Sequence, residues 1–246
     1  MAGGPRLFDR LMAMDRPDAR AAGVQTWNDL LSLHWPIPID ALKPLVPESL
    51  VIDRFEGVAY VSIIAFRATD TRPSFLPRSL GGSFNEVNVR TYVHRDGEDP
   101  GIYLFAADTD SRLATLGMRL GEGLRSYTAR IQHEHDTGRL TYVWERPTGA
   151  TFRAVCQLGG RVGAAEPGTL EHFLNERYFV HADRSASLWT TQIHHAPIDF
   201  ERARVLELRD DVLHELGLPE REGHPVVTYA RRVETEVFLP RIHMAA

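Results

Sequence analysis

The stretch Phe84-Asn85-Glu86-Val87-Asn88-Val89-Arg90-Thr91-Tyr92-Val93 alternates without a break. Val87, Val89 and Val93 take one face and Glu86, Asn88, Arg90 and Tyr92 the other, the period of two that a β-strand imposes. The polar face sets an acid, an amide, a guanidinium and a phenol in a row. On an open sheet such a row is a solvated surface, and spacing alone favours that reading because charged groups are mostly exposed. In a sheet closed on itself, both faces of a strand can lie inside, and the row then lines a ligand pocket.

The chain on either side has the same β-rich grammar. Residues 30–37 carry Leu31, Leu33, Trp35 and Ile37 on one side of a strand, and Asp40 offers a cap to a short helix that Pro44 and Pro47 end. Residues 50–53 and 58–67 read as a hairpin around Phe55-Glu56-Gly57, and residues 102–107 as a further strand. Residues 111–120 place Leu113, Leu116 and Leu120 at helical spacing behind the capping candidates Asp108, Thr109 and Asp110. Beyond them come a hairpin about Asp136-Thr137-Gly138, a strand over 151–158 and a helix over 170–177 capped by Thr169. A strand over 187–194, a short helix over 210–216 closed by Gly217 and a long strand over 226–238 complete the pattern. The expected fold is mainly β with short flanking helices, as one domain over 27–246 behind a loosely docked extension, 1–26.

Composition narrows the function. The formal net charge is −5 over 246 residues, which leaves no basic surplus for a phosphate backbone, so nucleic acid is not an expected partner. No run of about 18 apolar residues is present to span a bilayer, so a membrane is not expected either. Cys156 is the only cysteine, and residues 1–20 hold no apolar leader. Both features point to a reducing, cytoplasmic setting. Of the 28 basic residues, Lys43 alone is a lysine. Arginine stays protonated and cannot act as an amine nucleophile.

Few motifs carry chemistry. His133 and His135 share one side of a strand but end at a hairpin tip, and a catalytic zinc site needs three protein ligands, so no metal is expected. His194 and His195 end a strand where active-site loops begin, and a packed, satisfied histidine is the alternative. Cys156 lies on the apolar side of an alternating run and reads as a buried, inert thiol. No phosphate loop, His-Glu-x-x-His pair or Gly-x-Ser-x-Gly elbow occurs.

Leu33-His34-Trp35-Pro36, Leu45-Val46-Pro47 and the Asn85–Val93 run resemble the YqjF-like family, a domain of unknown function numbered 2071. Gly101-Ile102-Tyr103-Leu104-Phe105, Leu170–Tyr178 and Ile193-His194-His195-Ala196-Pro197 extend the likeness over about residues 27–240. The resemblance implies an acetoacetate decarboxylase-like fold, a cone-shaped β-barrel with a central cavity, and no particular activity. It sets Glu86 at the position of a pocket glutamate and Arg125-Ser126 where acetoacetate decarboxylase carries its lysine pair. An imine route is therefore not expected.

The resulting expectation is a pocket with Glu86 and Arg125 as catalytic groups and Asn88, Arg90, His34, Tyr92 and His194 as ligand-binding groups. The ligand would be a small molecule bearing a carboxylate or carbonyl, handled without cofactor as a lyase or isomerase would, or bound without catalysis. A homo-oligomer is compatible with the sequence.

Overall fold

The alternating run folds as a strand, Gly82–Arg95, whose two faces are both buried. The structure is a computed structural model and describes residues 4–122, 126–184, 187–220 and 223–244. Its strands are β1 (Gly23–Ile37), β2 (Val51–Ile52), β3 (Ala59–Pro73), β4 (Gly82–Arg95), β5 (Glu98–Thr109), β6 (Arg130–Asp136) and β7 (Arg139–Glu145). They continue with β8 (Thr151–Gly163), β9 (Phe179–Arg184), β10 (Ser187–His194), β11 (Phe200–Asp210), β12 (Val226–Val237) and β13 (Arg241–Met244). Short helices punctuate them: α1 (Leu7–Met12), α2 (Ile39–Leu42), α3 (Arg112–Gly117), α4 (Leu170–Asn175) and α5 (Val212–Glu215).

All of these strands belong to one sheet. Its path runs β10-β9-β5-β4-β3-β1-β12, and β12 then pairs with β10 through Ile193↔Val237 and His194↔Glu236, so the path closes into a ring. From β12 the sheet also continues through β11, β8, β7 and β6. The segment leading into β6 then lies back against β5, with a bridge between Thr109 and Thr128 and the Ala129 amide donating to the Thr109 carbonyl at 2.9 Å. The wall made of β12, β1, β3, β4 and β5 thus has an enclosed interior on each side.

β4 shows what this does to an alternating sequence. Val87, Val89 and Val93 are fully buried in the larger apolar core with Tyr142, Trp144 and Phe152 of β7 and β8 and Leu213 of α5. Strands, more than helices, cover the valine face. Tyr92 packs on the other side with Ile102 and Phe173. The register between β4 and β5 slips at Val89/Arg90, where Ala106 and Leu104 are the partners. This bulge leaves Phe105 as the extra residue, and bulges of this kind re-aim a side chain.

Several expectations change. Residues 50–53 do not form a hairpin with β3, because β1 and β4 already occupy both edges of β3. β2 crosses instead to β4, with Val51↔His94 and Ile52↔Val93. The cap of α3 is Ser111, whose side chain accepts from the Ala114 amide, and not one of residues 108–110. The expected cap Thr169 does accept from the His172 amide at α4. The expected boundary at residue 27 falls inside β1, which begins at Gly23. The segment ahead of β1 is tied down: Arg10 of α1 donates twice to Asp53, at 2.6 and 2.8 Å.

Candidate functional site

The strand ring encloses a cavity of about 860 Å³, and Glu86, Asn88, Arg90, Asn175, Arg177 and His195 all line it. Strand parity explains the first three. With the valines committed to the opposite core, β4 must aim Glu86, Asn88 and Arg90 into the ring. Glu86 and Asn88 are buried and Arg90 half-buried. Asn88 Nδ2 donates to Glu86 Oε1 at 3.1 Å, and Arg90 Nη2 donates to the Leu174 carbonyl at 3.3 Å. Burial pushes the Arg90 guanidinium below its ordinary pKa.

Arg177 enters from just beyond α4. Its Nε donates to the Phe173 carbonyl at 2.6 Å and its Nη1 to Asp53 Oδ2 at 2.9 Å. The guanidinium carbon sits 4.1 Å from the Phe173 ring centroid. Burial lowers its pKa to about 10, against the opposing pull of Asp53. Burial alone would raise Asp53, yet Arg177 and Arg10 together hold it below the usual carboxylate value.

Several buried polar atoms on the lining residues have no hydrogen-bond partner among the described residues. They include Trp27 Nε1, Asn88 Oδ1, Arg90 Nε and Arg177 Nη2. Buried polar atoms are nearly always satisfied, and exceptions concentrate where a ligand, water or ion completes the set. Here most of the unmet atoms are donors, two of them on cations, so the cavity matches an anionic or carbonyl oxygen.

His34 and Tyr92 lie beneath this lining as part of a buried network. Thr228 Oγ1 donates to Asn175 Oδ1 at 2.9 Å, so it accepts from His34 Nε2 at 3.4 Å. His34 Nδ1 is then the acceptor and takes the Ser62 Oγ proton at 2.8 Å, with the Tyr92 hydroxyl 3.0 Å away. Tyr92 donates to the Leu174 carbonyl at 3.0 Å. Burial, with the charge of Arg90 added, holds the His34 pKa well below its ordinary value, so the ring is neutral. Burial also raises the Tyr92 pKa. His34 and Tyr92, expected to bind ligand, are not among the residues that line the cavity; they contact Thr228 and the Leu174 carbonyl behind its wall.

His194 does not join the site. Thr191, Ile193 and His195 line the cavity at alternate positions, so His194 points outward, with Nδ1 3.6 Å from Glu236 Oε2. His195 takes the inner place, stacked on Tyr178 at 4.5 Å between centroids and kept neutral by burial. Extending the parity of β10 by one residue would have selected it. Arg177 gives no periodic signal, because it follows the end of a helix; only its place in the Leu170–Tyr178 run marks it. Arg125 lies outside the described residues.

His133 and His135 are bound to Asp29, with His133 Nε2 2.9 Å from Oδ2 and His135 Nδ1 3.0 Å from Oδ1. Among the described residues no group of three His, Cys, Asp or Glu side chains is placed to hold a metal ion. No helix among them is long and apolar enough to cross a membrane. Cys156 is buried, and burial pushes its thiol up to about 11.

The mainly β architecture is similar to that of acetoacetate decarboxylase-like proteins. An acetoacetate decarboxylase-like enzyme from Sphingomonas wittichii RW1 superposes with a TM-score of 0.63 at 15% identity, covering 93% of this chain and 95% of that one. The enduracididine biosynthesis enzyme MppR complexed with pyruvate gives 0.65 at 11% identity over 93% of each chain. Acetoacetate decarboxylase from Legionella pneumophila gives 0.61 at 15%, over 99% and 96%. Within that class, the chain belongs to the family of uncharacterised conserved proteins described as domain of unknown function 2071, whose model matches residues 24–234. The uncharacterised protein YqjF of Bacillus subtilis (strain 168) is 35% identical over 211 residues, 85% of this chain and 87% of that protein.

Proposed function

We propose that the cavity binds a small molecule through a carboxylate or enolate oxygen, and that Glu86 transfers a proton at the carbon α to the ligand's carbonyl. One observation carries the reading. Arg90 and Arg177 line the same cavity, and each has a buried N–H without a partner among the described residues. Guanidiniums that are preorganised and desolvated stabilise a developing oxyanion more strongly than they would in water. A carboxylate on the same wall supplies the acid/base group that enolisation needs. The result is a lyase or isomerase step with no cofactor in it.

Imine chemistry has no support in this arrangement. Lys43 is exposed, and its Nζ donates to Asp40 at 2.7 Å on the outside of the sheet. That MppR is described as complexed with pyruvate, a 2-oxo acid, agrees with the proposed ligand chemistry.

The test is α-proton exchange. A panel of 2-oxo and 3-oxo acids in deuterium oxide, followed by proton NMR, should show enzyme-dependent loss of the α-proton signal for at least one member. Glu86→Gln should abolish the exchange while binding persists, and Arg90→Met should weaken binding. Saturable binding with no exchange would overturn the catalytic half and leave a small-molecule binding protein. No binding of any oxo acid by folded protein would overturn the whole reading.

A further inference from the structure

The cavity is larger and more apolar than a small oxo acid requires. At about 860 Å³ it lies near the top of the range, about 300–1,000 Å³, that encloses drug-sized ligands. Around the polar groups of β4 and α4, its wall includes Trp27, Leu30, Ile64 and Phe66.

The second observation concerns the rim. Leu113, Leu116 and Leu120 line the cavity and are nevertheless 80%, 51% and 62% exposed. Leu113 and Leu116 lie one turn apart in α3, and Leu120 follows in the wide turn Met118–Glu122. Exposed leucines clustered at the edge of a cavity represent unburied apolar surface, which clusters at binding sites.

Resting on the oxyanion-binding reading above, we infer that the ligand is amphipathic: a carboxylate or oxo-acid head on Arg90 and Arg177, and an unbranched hydrocarbon tail running outward to the leucines of α3. The geometry suits a medium-chain acyl acid. A tail of this kind covers the apolar wall that a three-carbon ligand would leave open to water, and it buries the exposed faces of Leu113 and Leu116. The head satisfies donors that the protein itself leaves unmet.

Isothermal titration with straight-chain carboxylates from butanoate to dodecanoate tests the inference. The dissociation constant should fall about fourfold per added methylene, the equivalent of about 0.8 kcal/mol each, until the chain fills the cavity. Leu113→Ser combined with Leu116→Ser should flatten that dependence for the longer acids and leave butanoate unchanged. Both positions are exposed, so the variant should keep its melting temperature. Affinity independent of chain length, with Arg90→Met still weakening binding, would overturn the tail and leave the proposed function standing. A chain-length dependence unaffected by Arg90→Met and shared by the matching alcohols would support the tail and sink the oxyanion site. Should the leucines instead cover a second copy of the chain, the double variant would change the sedimentation coefficient without changing the dependence on chain length, and the tail proposal would fall.

Discussion

Each nitrogen of His181 makes one hydrogen bond, Nε2 donating to the Asp99 carbonyl at 3.0 Å and Nδ1 accepting from Thr190 at 3.1 Å. That pairing needs the neutral ring, and burial pushes its pKa down to about 4. The unfolded chain binds this proton near pH 6.5, so the contribution is fully present above that value. It is lost as pH falls from about 6.5 to about 4. The whole window is worth about 3 kcal/mol at 1.36 kcal/mol per unit. Unfolding free energies from pH 8 to 4 should therefore decline, and His181→Gln should remove part of the slope. An unchanged slope would place the ring elsewhere. The same reasoning applies to His34, whose pKa burial also lowers. At the ligand, His195→Ala should weaken binding and His194→Ala should not, because only the former lines the cavity. Borohydride treatment with acetoacetate should leave no adduct at Lys43, whose exposed amine is paired with Asp40 and does not line the cavity.

Among the elements, the seam between β5 and β9 depends on a glycine. A side-chain carbon at Gly101 would stand 2.2 Å from the Phe179 carbonyl oxygen, so the parallel pairing Ile102↔Val180 exists because residue 101 has none. Gly101→Ala should open the ring there and cost about 1–3 kcal/mol, read as a lower melting temperature together with weaker ligand binding. The docking of α1 is the other sensitive join. Asp53 is buried between Arg10 and Arg177, and removing its charge strands a buried guanidinium. Asp53→Ala should destabilise the fold by about 3–5 kcal/mol. A loss well under 1 kcal/mol would show that the pair is solvated. Sequence legibility also divides by element. β4 can be read because the wall it belongs to separates two interiors with different needs, valine on one side and polar groups on the other. β2 cannot be placed in the same way, because pairing partners are a property of the closed sheet and not of the turn between two strands. β11 escapes because its alternation breaks at Glu201-Arg202 and Val205-Leu206, where the register with β8 also shifts, so no unbroken run of period two is long enough to mark a strand.

For the molecule as a whole, the sequence discloses the sheet-rich class and the polar row, and the family likeness supplies the enclosed topology that spacing cannot. The remaining site residues come from separate parts of the chain. Asn175 and Arg177 meet β4 because β9, which follows them, pairs with β5, and His195 because β10 pairs with β9. Such long-range meetings leave no local trace.

The shared wall has a consequence for variation. Because alternate side chains of β4 enter different interiors, substitutions at Val87 and Val89 act on the apolar core, whereas those at Glu86, Asn88 and Arg90 act on the cavity lining. Under the proposed function, ligand preference can therefore change without disturbing the apolar core. Insertion of a single residue in β4 is a different matter, since it would exchange the two sets of side chains and ruin both interiors together.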